Sequence, residues 1–147
     1  MSIQDNLKQD QEEIAAWNAH DVDRALAVFP DDVVWQDVSS PQAFAGKDAI
    51  GQYLQGWFTA FPDITITVTN RVITDDYVAA ELNFVGTNNG DLLLAPGAPA
   101  IPATGRKITG KGTYFVHFKN GKPVEVRSYP DVAGMMMQLG LIPMPGA

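Results

Sequence analysis

The sequence predicts an α+β fold, a cone-shaped, curved antiparallel sheet with N-terminal helices packed on its concave face and an apolar pocket enclosed between them. Three observations lead there. Helical patterning is confined mainly to the first half of the chain, before Pro62. Long segments with a two-residue period then follow one another with short turns between them, which is the signature of antiparallel strands. A run of helices next to a run of strands, with one apolar face on each, is satisfied by packing the helices on one face of the sheet.

In chain order, residues 2–19 read as a helix. Leu7, Ile14 and Trp17 form its apolar side, and Asp5, Asp10, Glu12 and Glu13 are expected on an acidic outer face. His20 and Asp21 interrupt it, and Asp21 caps a short second helix that Pro30 ends. Residues 33–38 alternate as a strand, with Val33, Trp35 and Asp37 on one face and Val34, Gln36 and Val38 on the other; either Asp37 or Gln36 could point inward. Ser39-Ser40-Pro41 is a turn. A helix over 47–61 carries an unusually aromatic face through Tyr53, Trp57, Phe58 and Phe61. The β-branched stretch 64–73 alternates strictly and pairs with 77–87 as a hairpin, Glu81 and Asn83 sharing a face with Ala79 and Val85. A long connection over 88–106, with Pro96, Pro99 and Pro102 and the apolar Leu92-Leu93-Leu94, is expected to dock on the body as a lid, a rim or an interface. Residues 107–119 form the next strand, Asn120-Gly121 is a two-residue hairpin turn, and 123–129 returns beside it. A short helix or turn follows over 135–141, and the tail 142–147 is peripheral.

At 147 residues the chain is expected to be one domain over 1–147. A net charge of −7 repels phosphate backbones, so nucleic acid is not an expected partner. No apolar run is long enough for a membrane span, and the polar, acidic start is no leader peptide, so a cytoplasmic location is expected. With no cysteine and two histidines, thiolate chemistry is excluded and a multi-histidine metal site is not expected. No glycine-rich phosphate loop is present. What remains is cofactor-free acid/base chemistry on a small hydrophobic molecule, or binding of one without turnover.

The stretch 124–141 carries the sharpest candidate. Asp131 stands where a strand ends at Pro130 and an apolar, Met-rich run begins. A carboxylate against apolar cover has its pKa raised and suits an acid/base role, although the same position also fits a helix N-cap. Trp35, Tyr53, Trp57, Phe61 and Tyr114 are candidates for lining a pocket for a flat ligand. Asp37, Asn83, Tyr129 and Met135 join them as candidate substrate contacts.

The chain also resembles a known family. FAGKDAI at 44–50, GTNNG at 86–90, PATGRK at 102–107 and NGKPVEVRSYPDVAGMMMQLGL at 120–141 are similar to the SnoaL-like polyketide cyclases, also called ester cyclases. These share the nuclear-transport-factor-like cone fold with ketosteroid isomerase and limonene epoxide hydrolase. The resemblance implies ring closure by intramolecular aldol condensation on an aromatic polyketide ester, with neither metal nor other cofactor. It implies Asp131 as the acid/base and His117 as its helper. It further implies a homodimer or higher homo-oligomer formed through the open face of the sheet. Asn88 stands where many members carry histidine, and the 88–106 connection is longer than usual.

Overall fold

The computed structural model describes residues 2–95 and 97–146; Met1, Pro96 of the long connection and Ala147 at the end of the tail lie outside the described residues. Helix α1 (Ile3–Asn18) starts at Ser2, whose hydroxyl accepts from the Asp5 backbone N–H while the Asp5 carboxylate accepts from the Ser2 backbone N–H. This reciprocal pair satisfies two of the N–H groups a helix start leaves open. Asp21 caps α2 (Val22–Ala27) in the expected way, accepting from the Arg24 N–H at 3.0 Å. Then come β1 (Val34–Asp37), a two-residue strand β2 (Phe44–Ala45), α3 (Lys47–Ala60), β3 (Thr65–Ile73), β4 (Tyr77–Thr87), β5 (Lys107–Lys119), β6 (Lys122–Pro130) and α4 (Val132–Gln138).

The six strands form one curved, unclosed sheet in the order β2-β1-β6-β5-β4-β3. The four long strands pair antiparallel as expected, and Lys119 pairs with Lys122 across Asn120-Gly121. Both turn residues have positive φ, 50° and 73°, the geometry in which an Asn-Gly turn matches the strands' twist. One pairing is a correction: β1 runs parallel to β6. The chain reaches this register only after passing through all the intervening elements, so no local turn signal announces it.

Curvature comes with two irregularities of register. One lies between Val68 and Asn70 on β3, the other opposite His117 and Phe118 on β6. A bulge bends a strand and shifts its side-chain parity. Before the first bulge Ile66 and Val68 face the helices; after it Arg71 and Ile73 do, and Val72 is left outside at 59% exposure. The strict alternation expected through β3 therefore breaks at its middle. The helices lie over the concave face, with Leu54, Phe58, Phe61, Ile64, Ile108 and Val126 among the buried core. No helix among the described residues is long and apolar enough to cross a membrane.

Candidate functional site

Between the helices and the concave face of the sheet lies a cavity of about 120 Å³. Strand parity supplies one wall: Leu82 and Phe84 from β4, Tyr114, Val116 and Phe118 from β5, and Val126 and Ser128 from β6. Trp35 comes from β1, Tyr53 and Trp57 from α3. The remaining wall is α1, through Gln9, Asp10, Glu13, Ile14 and Trp17.

Asp5 and Glu12 lie on the acidic outer face as expected, but Asp10 and Glu13 are corrected to the inner one. The inward stripe runs through residues 6, 10, 13, 14 and 17: it keeps the expected Ile14 and Trp17, but Asn6 takes the place of Leu7, and Asp10 and Glu13 join it. Asp10 is 4% exposed. Its Oδ2 accepts from Arg71 Nε at 2.7 Å and from the Tyr114 hydroxyl at 2.7 Å. The bulge in β3 is what turns Arg71 inward to make this pair. Burial raises the Asp10 pKa, with the Tyr114 and Arg71 hydrogen bonds opposing it. The Tyr114 hydroxyl is pushed up by burial and by the Asp10 charge, so it stays a donor.

Glu13 is different. Both carboxylate oxygens are closed off from solvent, and neither has a hydrogen-bond partner among the described residues. Burial, reinforced by the Asp10 charge, pushes its pKa from an ordinary 4.5 up to about 8. A bare carboxylate in apolar surroundings takes a proton rather than stay ionised. The two neighbours thus divide their roles, Asp10 bearing the charge that Arg71 neutralises and Glu13 bearing the proton.

A second polar group stands beyond the cavity wall at Tyr53. Asp37, 4% exposed, accepts from the Ser39 N–H at 2.8 Å and from the Tyr53 and Ser39 hydroxyls at 2.5 Å each. Trp35 Nε1 donates to Ser128 Oγ at 2.9 Å. Burial and the Asp37 charge raise the Tyr53 pKa, so its proton stays on the phenol.

Of the sequence candidates, Trp35, Tyr53, Trp57 and Tyr114 meet in the cavity. Asp37 and Met135 line a second space that Tyr53 and Trp57 also border. The others are corrected. Phe61 is fully buried behind Trp57, its ring stacked at 6.0 Å, and does not reach the cavity. His117, Asn83 and Tyr129 have the parity of the outer face. His117 stacks on Tyr77 at 4.6 Å, Tyr129 is 42% exposed against Phe115, and Asn83 is exposed. Asp131 is exposed and outside the cavity, where its Oδ1 accepts from the Gly134 N–H at 2.9 Å as the N-cap of α4. Arg127, the other group on that stretch with the charge to perturb it, pairs instead with Glu125 at 2.7 Å. Among the described residues no three His, Asp or Glu side chains are grouped to hold a metal ion.

Asn88, fully buried, pins the long connection. Its Nδ2 donates to the Ala60 and Gly90 carbonyls at 3.1 and 3.0 Å, and its Oδ1 accepts from the Thr104 N–H and hydroxyl at 2.8 and 2.9 Å. Leu92 and Ile101 form a short antiparallel bridge beyond it.

Comparison places this architecture among known proteins. The model of the SnoaL-like polyketide cyclase family matches residues 10–139, and the chain belongs to that family. Solved structures of the same fold include a candidate SnoaL-like polyketide cyclase from Jannaschia Sp. CCS1, 17% identical with a TM-score of 0.83 over 95% of this chain and 94% of that one. AclR of Streptomyces galilaeus, a candidate hydroxylase, is 22% identical with a TM-score of 0.82 over 99% and 87%. IdmH of Streptomyces antibioticus, a candidate polyketide cyclase, is 23% identical with a TM-score of 0.72 over 90% and 96%. No protein of curated function matches the chain.

Proposed function

We propose that this chain is a cofactor-independent cyclase or isomerase acting on a small aromatic or polyketide-like carbonyl compound, by carboxylate acid/base chemistry of the intramolecular aldol type. Glu13, rather than Asp131, is the group that carries the proton. The observation behind this reading is the Glu13 carboxylate, partnerless in an apolar cavity and titrating near 8.

A carbon next to a carbonyl loses its proton to a base whose pKa lies near the working pH, and burial has brought Glu13 there. In its ionised form Glu13 takes the proton from carbon. The resulting enolate carbon attacks a second carbonyl of the same molecule, forming the ring bond. The new alkoxide then recovers the proton from Glu13, so the step balances without an oxidant, a reductant or a second base. Asp10 stays charged beside Arg71 and keeps the Glu13 pKa high between turnovers. Trp35, Tyr53 and Trp57 offer flat faces to a planar substrate, and the apolar walls keep water from the enolate.

The test is deuterium uptake from heavy water into the methylene of phenylacetone, a one-ring ketone, followed by proton NMR. Wild-type protein accelerates uptake, and Glu13→Gln lowers that acceleration roughly 10²–10⁴-fold while phenylacetone still binds. Binding by the wild type with no accelerated uptake makes the chain a binding module instead.

A further inference from the structure

The inner cavity is small for a cyclase. Its volume of about 120 Å³ is close to that of a cavity of about 150 Å³ that takes up benzene, so it holds one ring and little else. On the far side of Tyr53 and Trp57 lies a second chamber of about 390 Å³. One turn-spaced stripe of α3 floors it through Gln52 and Gly56, Phe44 and Met135 wall it, and Leu92 and Leu94 of the long connection roof it. Tyr53 and Trp57 border both spaces. Tyr53 stands between the two: its ring leans on Trp35 of the inner cavity at 5.4 Å and on Phe44 of the outer chamber at 4.6 Å, and its hydroxyl is tied to Asp37.

We infer that the outer chamber is the second half of the ligand site. The substrate is an elongated, uncharged carbonyl compound whose ring-sized reacting end fills the inner cavity, while an apolar chain or further ring passes Tyr53 and Trp57 and lies under Leu92 and Leu94. This rests on the reading of the inner cavity as the reacting chamber. Volume argues for the two-part shape, since the inner space cannot contain both a reacting ring and the remainder of a ring-closing chain. Charge argues for the neutral tail. No Lys or Arg lines either chamber among the described residues, and the outer chamber holds the carboxylate of Asp37. A free acid or a phosphate would be desolvated there with no counter-charge, so an ester or ketone is favoured over the corresponding acid. Leu94, 44% exposed, stands at the chamber ready to be covered by an apolar tail.

Gly56 allows a clean test. It sits inside α3, and a Cβ added there meets nothing within 4 Å. A larger side chain therefore projects into the outer chamber, and replacing a helix-interior glycine favours folding. Affinities of acetophenone, of para-hexylacetophenone and of the same compound with its chain ending in a carboxylate are measured by calorimetry against wild type, Gly56→Ala and Gly56→Leu. In wild type the hexyl ketone binds at least about tenfold more tightly than acetophenone, and the carboxylate loses that gain. Gly56→Ala reduces the gain and Gly56→Leu abolishes it, with acetophenone binding unchanged. Equal affinities of the two neutral ketones for wild type, or a gain that survives Gly56→Leu, overturn the inference and leave the role of Glu13 standing. A hexyl gain sensitive to Gly56→Leu, in a protein whose deuterium uptake ignores Glu13→Gln, supports the chamber and overturns the proposed chemistry alone.

Discussion

Asp10 and Glu13 project from successive turns of α1 into one apolar cavity, and of the two only Asp10 has a cation, Arg71, at 2.7 Å. Like charges that close cannot both ionise cheaply in low dielectric. The proton therefore settles on the carboxylate that lacks a partner.

Stability follows from that proton. The folded-state pKa of Glu13, about 8, lies above its ordinary 4.5. Between these values the folded chain holds a proton that the unfolded chain has lost. Stability from this group is thus fully present below about pH 4.5 and is lost as pH rises through about 8, with a slope of up to ~1.4 kcal/mol per pH unit. Urea denaturation at a series of pH values will show this decline in wild type and a flatter profile in Glu13→Gln.

Asp131 separates a capping role from a catalytic one. Asp131→Asn keeps a cap acceptor and is expected to leave deuterium uptake unchanged. Asp131→Ala should lower stability by ~0.5–2 kcal/mol, again with uptake intact in the folded protein. Thermal melting together with the uptake assay distinguishes these outcomes; a large loss of uptake in Asp131→Asn would return the catalytic role to this residue.

The parts of the fold that were legible in the sequence are those with local signals. Asp21 announced its helix and Asn120-Gly121 its hairpin, and alternation put Trp35 and Asp37 on one face, although which face pointed inward was settled only by the structure. Trp35, Tyr53, Trp57 and Tyr114 were legible because aromatic residues on the inner face of an element have nowhere else to go. The buried carboxylates Asp10 and Glu13 were hidden for two physical reasons. Polar residues on a helix read as its solvent face, so Asp10 and Glu13 were assigned outward although Ile14 and Trp17 beside them were correctly placed inward. The inward turn of Arg71 depends on a one-residue bulge in β3, which a β-branched run does not reveal. The acidic i, i+3 spacing of Asp10 and Glu13 between Asn6 and Trp17 was the available clue. His117 fails for the complementary reason, since its strand parity is that of Phe115, on the outer face.

Asn88 is expected to govern the roof of the outer chamber. Asn88→Ala removes both donated and both accepted hydrogen bonds at a fully buried site. Leaving buried backbone groups unpaired costs ~1–3 kcal/mol each, so the connection from Asn88 to Arg106 should open. Amide hydrogen exchange at Leu92 and Ile101, whose N–H groups bond each other's carbonyls at 2.8 and 2.7 Å, will rise well above wild type.

The outward face of the sheet carries Val72, Val85, Phe115 and Tyr129, each more than a third exposed. We propose that two copies of the chain pair through this face. Sizing chromatography with light scattering should give a mass near twice 15.9 kDa, and Phe115→Lys should shift it toward the monomer. A single species of 15.9 kDa in the wild type would refute the pairing.

The pH dependence of phenylacetone deuterium uptake tests the role of Glu13 most directly. The rate in wild type should rise with pH to a plateau whose midpoint lies near 8, the Glu13 pKa, and Glu13→Gln should remove both the rate and its midpoint. A catalysed rate already at its plateau by about pH 6, well past an ordinary carboxylate, or a profile that survives Glu13→Gln, would contradict the account.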